Sequence, residues 1–558
     1  MSGGARGRPF ATRNIQDYRR AVREHRDDTP AFFNFGVDVV DRLASEADGP
    51  ALVWTDASGR EKRFAFSDIA RLTDRLASSL RRLGIAPGDR VIVMLPRIPE
   101  WQIAMVACLK LGAVPIPSIE MLTEKDLAYR VGHSGARAVV ARAAQAAKFA
   151  SFHDALAVRV AVGSPVPGWE DFDAALADGD ADFVAARVAA EAPALLYYTS
   201  GSTGQPKGVL HASRAIHAWR GSAHGWLDLG PGDLIWCTAD TGWSKAGTSI
   251  LFGPWSVGAC AFFHDGPFDP RRRLALLERH GVTVYCAPGT ELFRLVDEDI
   301  AAYDLGRLRH VVSAGEVLSP VVAARWLAAT GVPVAEAYGQ TETLMTVVNL
   351  GCLPLREGSM GVAAPGCELA VIDEAGRRLP DSEEGDLALR APDPQLMLGY
   401  LDEPERTARC YLDGPDGRWF VTGDRAIRDV DGYFFHRGRS DDVINSAGYR
   451  IGPSEVENVL LDHPAVREVA VVGSPDARRG EIVKAFVVLR DGVEATPSLA
   501  AELQAHVKRI TAPYKYPRAI AFVAELPKTL TGKIQRSALR NEERRLAAAA
   551  GGGAGTAG

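Results

Sequence analysis

The sequence predicts an α/β protein: a large N-terminal domain of parallel sheets packed with helices, a β-rich subdomain, and a small α+β C-terminal domain. Three observations predict it. The chain has 558 residues, and single cores stop growing at roughly 250–300 residues, so at least two domains are needed. Short apolar runs of strand type alternate with amphipathic helical runs, the pattern of a mostly parallel sheet covered by helices. Beyond residue 360 the texture changes to short strands with turn signals, and then to a compact α+β pattern.

Taken in order, RVIVMLP (90–96) reads as a strand. EWQIAMVACLKLG (100–112) has helical periodicity and a glycine stop, and 113–118 and 136–142 are strands again. The alternation continues through VTVYCAP (282–288) and HVVSAG (310–315). In the β-rich stretch, the A-G pair at 375–376 and the D-G pair at 431–432 mark hairpins. The C-terminal pattern is strand (442–452), helix (453–464), two strands (466–475 and 482–490), helix (498–510) and strand (519–527). These runs give an N-terminal domain over 1–437, with its β-rich subdomain over 360–437, and a C-terminal domain over 438–546. The low-complexity residues 547–558 read as a disordered tail.

Composition narrows the function classes. The chain is 47% hydrophobic and 24% charged, with a net charge of −6. That is ordinary for a globular protein and disfavours nucleic acid as a partner. Seven scattered cysteines form no C-x-x-C pair, which fits buried thiols in a reducing compartment such as the cytoplasm. The basic N-terminus lacks the apolar run of a secretory signal. It is Arg-rich and acid-poor until Asp17, so a mitochondrial transit peptide is the alternative. No uncharged stretch approaches the roughly 20 residues of a membrane span.

The strongest motif is ALLYYTSGSTGQPKGVLH (194–211). An apolar strand ends in a loop of small and hydroxyl residues carrying Lys207. Small residues admit backbone N–H groups to phosphate oxygens, and hydroxyls and a lysine add donors and charge. It is not a Walker A loop, because Pro206 stands where the second glycine belongs. Further along come EAYGQTET (336–343), WFVTGDRA (419–426), GRSDDVI (438–444) and PKTLTGKIQR (527–536).

The loop TSGSTGQPKG resembles the phosphate loop of the adenylate-forming (AMP-binding) superfamily, and the other motifs recur in that family's order. The C-terminal runs SAGYRIGPSEVEN, EIVKAFVVL and TAPYKYPR are similar to the medium-chain acyl-CoA synthetases in particular. The resemblance implies an AMP-forming acid–thiol ligase that makes acyl-AMP and then acyl-CoA, using ATP, Mg²⁺ and coenzyme A. Its acid would be a medium-chain fatty or related acid. By the same resemblance the ATP site comprises Thr199, Ser200, Gly201, Ser202, Thr203, Gly204, Gln205, Pro206 and Lys207. It continues with Glu336, Ala337, Tyr338, Gly339, Gln340 and Thr341, and with the ribose contacts Asp424 and Arg439. Glu342 would hold the metal, Lys533 would be the catalytic lysine, and Asp441 would be the hinge of a mobile C-terminal domain.

The coenzyme A site would take Ala447, Gly448, Tyr449, Arg450, Arg479, Lys508, Tyr516, Pro517 and Arg518. The basic run 506–518, which contains no acid, suits nucleotide phosphates. Relatives can carry Gln where this chain has Glu120. A carboxylate there would repel those phosphates unless turned away or paired, so Glu120 is left out of the site. Trp243, Gly315 and Gly339 resemble the wall of the acyl pocket, with Trp243 as floor or gate; a buried structural tryptophan is the other reading of it. Gly247, with Gly315 and Gly339, would leave open volume, and Lys245 is unusual company for an apolar chain. The rival readings are a benzoate-type ligase, an enzyme that loads a carrier protein, and an inactive nucleotide-binding regulator. Monomer and homodimer both stay open.

Overall fold

The structure is a computed structural model. It describes residues 12–199, 205–315, 318–439, 442, 444–446, 449–476, 479–511, 514–528 and 534–552. The chain divides into two compact units: Met1–Glu368 with Arg390–Tyr411, and Leu369–Leu389 with Leu412–Gly558.

Among its described residues the first unit contains three sheets. A nine-stranded sheet has a parallel centre, in which Cys260–Asp265, Leu234–Cys237, Val284–Cys286, His310–Ala314 and Val334–Gln340 lie side by side. Pro50–Asp56 joins Cys260–Asp265 in parallel, and antiparallel strands close both edges. A five-stranded parallel sheet runs in the order Val114–Pro117, Arg90–Met94, Ala138–Arg142, Val158–Val162, Glu170–Asp171. The third sheet is the hairpin Pro193–Thr199 and Lys207–Ala212, flanked by Gly399–Tyr400. Runs of Val, Ile and Cys form the central strands because a parallel sheet buries both faces. On one face Trp236 and Phe262 meet edge to face with centroids 4.9 Å apart, within a core that includes Tyr285 and Trp326.

The predicted helix at 100–112 is Pro99–Leu111, started by Pro99 and stopped by left-handed Gly112. It is buried all round, and its Lys110 has no exposed surface. The Lys110 ammonium lies 2.6 Å from Asp41 and 2.7 Å from Asp74.

Among its described residues the second unit holds two sheets. One is built from Leu369–Ile372, Glu384–Arg390, Tyr411–Gly414, Gly417–Arg428 and Phe434–Arg439. The other is built from Ile444–Ser446, Tyr449–Ile451, Val466–Asp476, Gly480–Leu489 and Ala519–Phe522. Both hairpins read from sequence form: Asp373 accepts from the N–H of Ala375 and Arg377, and Asp429 from that of Asp431 and Tyr433.

Most of the β-rich strands group with the C-terminal residues, since Leu369–Leu389 and Leu412–Gly558 form one compact unit while Arg390–Tyr411 stays with the other. Two sequence expectations differ from the structure. The single strand expected over 442–452 is two short antiparallel strands, in register at Ser446 and Tyr449. The tail was expected to be disordered from 547, yet the final helix spans Arg536–Gly552. Its alanines are the strongest helix formers and carry the helix past Leu546; residues 553–558 lie outside the described residues.

Candidate active site

In the first unit the phosphate-loop hairpin supplies the frame. Thr199 ends one strand and Lys207 opens the next, in register with each other. Ser200, Gly201, Ser202, Thr203 and Gly204 lie outside the described residues, while Gln205 and Pro206 lead into Lys207. The Pro206 carbonyl accepts from the Tyr129 hydroxyl at 2.9 Å. The Lys207 ammonium stands 5.2 Å from the centre of the Tyr400 ring, within cation–π range.

Glu336, Ala337, Tyr338, Gly339 and Gln340 form the end of the strand Val334–Gln340, and Thr341 and Glu342 make the turn that follows. Two contacts fix that turn. The buried His211 ring meets the Thr341 carbonyl through Nε2 at 2.8 Å. Desolvation pushes this imidazole down to about 4, so it is neutral at pH 7 and Nε2–H donates. The Tyr400 hydroxyl donates to Glu342 Oε1 at 2.8 Å. Tyr400 itself is carried by Gly399–Tyr400, paired with Leu210 and Val209 of the hairpin. One tyrosine therefore touches both Lys207 and Glu342.

Among the described residues no group of three or more metal-ligating side chains assembles. Glu342 alone still fits Mg²⁺, which is commonly held by one or two carboxylates together with substrate phosphates. Tyr400 engages one of its oxygens, and no hydrogen bond to the other is seen among the described residues. Glu336 is engaged with the backbone instead. Its Oε1 accepts from the Leu318 N–H at 3.1 Å, and burial pushes its carboxyl up to about 7.

The three glycines differ in the room around them. At Gly315 (φ +94°) an added Cβ would meet nothing within 4 Å. At Gly339 it would sit 1.8 Å from the Leu344 carbonyl oxygen, and at Gly247 2.1 Å from the Tyr197 hydroxyl. Those two glycines permit close packing and leave no open volume. Trp243 is partly buried against the core of the five-stranded sheet. Lys245 turns inward, its ammonium donating to the Ala314 carbonyl at 3.0 Å. Glu120 is paired, 3.8 Å from Arg142, whose guanidinium also binds Asp265. A cavity of about 590 Å³ beside residues 14–29 includes none of the predicted site residues.

In the second unit Asp424 and Arg439 face each other in register across antiparallel strands. Asp424 is 5% exposed, with Oδ1 3.8 Å from Arg439 and 3.4 Å from His436. A buried acceptor beside an exposed guanidinium suits a pair of ribose hydroxyls. Lys508 and Arg518 bracket the Tyr516 ring at 4.0 and 4.9 Å, with Pro517 buried next to them. The basic run is less bare than its sequence suggests, because Lys515 pairs with Glu455 from the helix Pro453–Leu461. Arg479 is exposed at the turn between the two long strands. Tyr449 and Arg450 lie on the strand Tyr449–Ile451. Asp441, Ala447, Gly448 and Lys533 lie outside the described residues.

Both flanks of the segment holding Lys533 are anchored. Lys528 bridges Ile534, and Gln535 N–H donates to the Pro527 carbonyl at 2.8 Å. Arg536 forks onto Glu457 at 2.8 and 2.5 Å.

Sequence reasoning missed Tyr400, His211, Glu457 and Arg536. For His211 a signal existed, since strand alternation puts Lys207, Val209 and His211 on one face. Nothing near Tyr400 in sequence announces its partners.

The AMP-binding enzyme family profile matches residues 40–401, and that of the AMP-binding enzyme C-terminal domain matches 455–533. The human mitochondrial acyl-coenzyme A synthetase ACSM5 is 40% identical over 94% of this chain and 93% of its own. The mouse mitochondrial acyl-coenzyme A synthetase ACSM3 is 38% identical over 96% and 95%. Among solved structures, a Brucella canis acyl-CoA synthetase has a TM-score of 0.74 at 35% identity, covering 95% of this chain and 99% of its own. The anthranilate CoA ligase AuaEII, solved with anthranoyl-AMP, has a TM-score of 0.85 at 29% identity, covering 94% and 100%. With both of the family's profiles matched in order on the chain that carries this geometry, the protein belongs to the AMP-binding enzyme family and to its acyl-coenzyme A synthetases, the AMP-forming acid–thiol ligases.

Proposed function

We propose that this enzyme activates a medium-chain fatty or related carboxylic acid in two half-reactions, with Lys207, Glu342, Asp424 and Lys533 acting on the nucleotide. The acid's carboxylate attacks the α-phosphorus of ATP, pyrophosphate leaves, and an acyl-adenylate remains. The coenzyme A thiolate then attacks the acyl carbonyl and AMP departs. Lys207 and the loop 199–207 hold phosphate oxygens, while Asp424 and Arg439 bind the ribose. Thr341, held by His211, contacts the α-phosphate. Lys533 offsets the repulsion between two anions in the first step. Mg²⁺ held by Glu342 would neutralise phosphate charge. Asp441 acts as the hinge between the half-reactions, and Ala447, Gly448, Tyr449, Arg450, Arg479, Lys508, Tyr516, Pro517 and Arg518 receive coenzyme A. Trp243 and Gly315 border the acyl chain, and Gly339 serves close backbone packing against Leu344.

The observation that carries this reading is Tyr400, in contact with both Lys207 and Glu342. The residues proposed to bind phosphate and metal thus share one side chain as a neighbour. The test is AMP release from ATP across a panel of straight, branched and aryl acids, with and without coenzyme A. Thioester formation with coenzyme A is the expected result, and stalling at acyl-AMP would favour carrier loading instead. Aryl acids belong in the panel because a structural neighbour is a benzoate CoA ligase from Burkholderia xenovorans, with a TM-score of 0.80. Its identity to this chain is 30%, and it covers 91% of this chain and 100% of its own. The unpaired thiols suit the cytoplasm or the mitochondrial matrix, and the mitochondrial names of the relatives make fractionation of both the appropriate check.

A further inference from the structure

The nine-stranded sheet places two thiols together at the carboxyl ends of neighbouring parallel strands. Cys237 ends Leu234–Cys237, Cys286 ends Val284–Cys286, and the two residues are in register. In-register residues of a parallel pair point to the same face. Adjacent strands lie about 4.8 Å apart, inside the span of about 4.4–6.8 Å that a disulfide bridges.

A cation stands beside them. Lys245 acts electrostatically on both sulfurs, while its ammonium donates to the carbonyl of Ala314, the last residue of the next strand. Among the described residues no carboxylate forms an ion pair with Lys245. The other buried cysteines lack such company. Burial alone pushes the Cys108 thiol up to about 12, and Cys260 likewise rises to about 12. Burial pushes this pair up as well, most strongly at Cys237, while the neighbouring thiol and Lys245 draw the Cys286 thiol down. Thiolate character is what makes a cysteine reactive toward peroxide.

We infer that Cys237 and Cys286 form a peroxide-sensitive dithiol that closes to a disulfide at the carboxyl edge of the sheet. The Cys286 thiolate attacks one oxygen of hydrogen peroxide, the O–O bond breaks, and the released hydroxide takes a proton to become water. The Cys237 thiol then attacks the resulting sulfenic sulfur, its proton leaving with the hydroxyl as a second water, and the S–S bond forms. Two thiols and one peroxide thus give one disulfide and two waters. Both sulfurs are buried, so a small oxidant reaches them through local opening. Strand ends of this kind are where α/β sheets receive ligands. A loss of activity on cross-linking rests on the acyl-side placement of Trp243 and Gly315; the cross-link itself does not.

The test is peroxide titration of the reduced full-length enzyme, followed by thiol blocking, proteolysis and peptide mass analysis. Half-buried Cys352 and Cys410 serve as internal references. The expected product is a peptide pair joined through Cys237 and Cys286, two hydrogens lighter, formed at doses that leave both references reduced. Loss of most acyl-CoA formation should accompany it and be restored by dithiothreitol. In Cys237→Ser, Cys286 should stop at a sulfenic acid trapped by dimedone. Oxidation of Cys352 and Cys410 before Cys286, or linkage of Cys286 to another cysteine, overturns the proposal; both outcomes are read on the wild-type chain, whatever the folding of the variant. A disulfide that forms without changing activity upholds the dithiol and counts against the acyl-side placement.

Discussion

Tyr400 shows how much of this site depends on one hydroxyl. Tyr400→Phe keeps the ring beneath Lys207 and removes the donor to Glu342. Losing a hydrogen bond to a charged group is worth about 1.5 kcal/mol or more. ATP–pyrophosphate exchange should therefore fall about tenfold, with a higher Mg²⁺ concentration needed for half-maximal rate. An unchanged Mg²⁺ dependence would detach Tyr400 from the metal-binding role of Glu342. Glu336 gives a second residue-level prediction, and its sign follows from linkage. Its folded carboxyl is raised from 4.5 to about 7, so between those values the folded chain holds a proton that the unfolded chain has lost. Stability then falls as pH rises through that window and levels off above it. Glu336→Gln keeps an acceptor for the Leu318 N–H and removes the titration. Its Tm should decline less than that of wild type between about pH 5 and pH 7. Parallel Tm curves for the two proteins would mean that Glu336 does not titrate there.

The elements most legible in the sequence are those whose period is set by burial. The strand 90–96, the helix 100–112 and the strands near 282–288 and 310–315 appear within a residue or two of their expected places, because apolar alternation and a terminal glycine state both kind and limit. What stayed hidden is long-range pairing. Lys110 reads as one polar position on an amphipathic helix, yet it is enclosed between Asp41 and Asp74 from elsewhere in the chain. The same limit separates His211, whose strand face could have been read, from Tyr400, whose partners are 193 and 58 residues away by number (207 to 400, and 342 to 400). Lys110→Ala should expose the logic of that helix. It strands two carboxylates, and breaking a buried pair costs about 3–5 kcal/mol. Asp41 is 34% exposed, so the lower end of that range applies. Lys110→Met, which fills the channel but also lacks the charge, should recover only the packing share. Equal stability of both variants and wild type in urea would show that the cluster contributes nothing.

For the whole molecule, the roles proposed above fall on residues of both compact units, which makes the proposed chemistry separable. Lys207, Thr341 and Glu342 belong to one unit, and Asp424, Arg439 and Lys533 to the other. The motifs carrying these residues were legible because each is a short local run; the joint use proposed for them rests on the family resemblance, since no local spacing relates residue 207 to residue 533. If Lys533 acts on the developing charge of the adenylation step alone, its removal must divide the two half-reactions. Lys533→Ala should cut acid-dependent ATP–pyrophosphate exchange by on the order of 10²–10³, while conversion of supplied acyl-AMP to acyl-CoA stays near the wild-type rate. Glu457→Gln, which weakens the fork that holds Arg536 just beyond that lysine, should lower exchange in the same direction by a smaller factor, because it loosens the anchor and leaves the cation. Asp441→Pro should do the opposite, impairing thioester formation more than exchange, since a hinge is needed only to pass from one step to the other. If Lys533→Ala slowed both half-reactions alike, the lysine would be serving the fold or nucleotide binding in general, and the assignment of a step to it would fail.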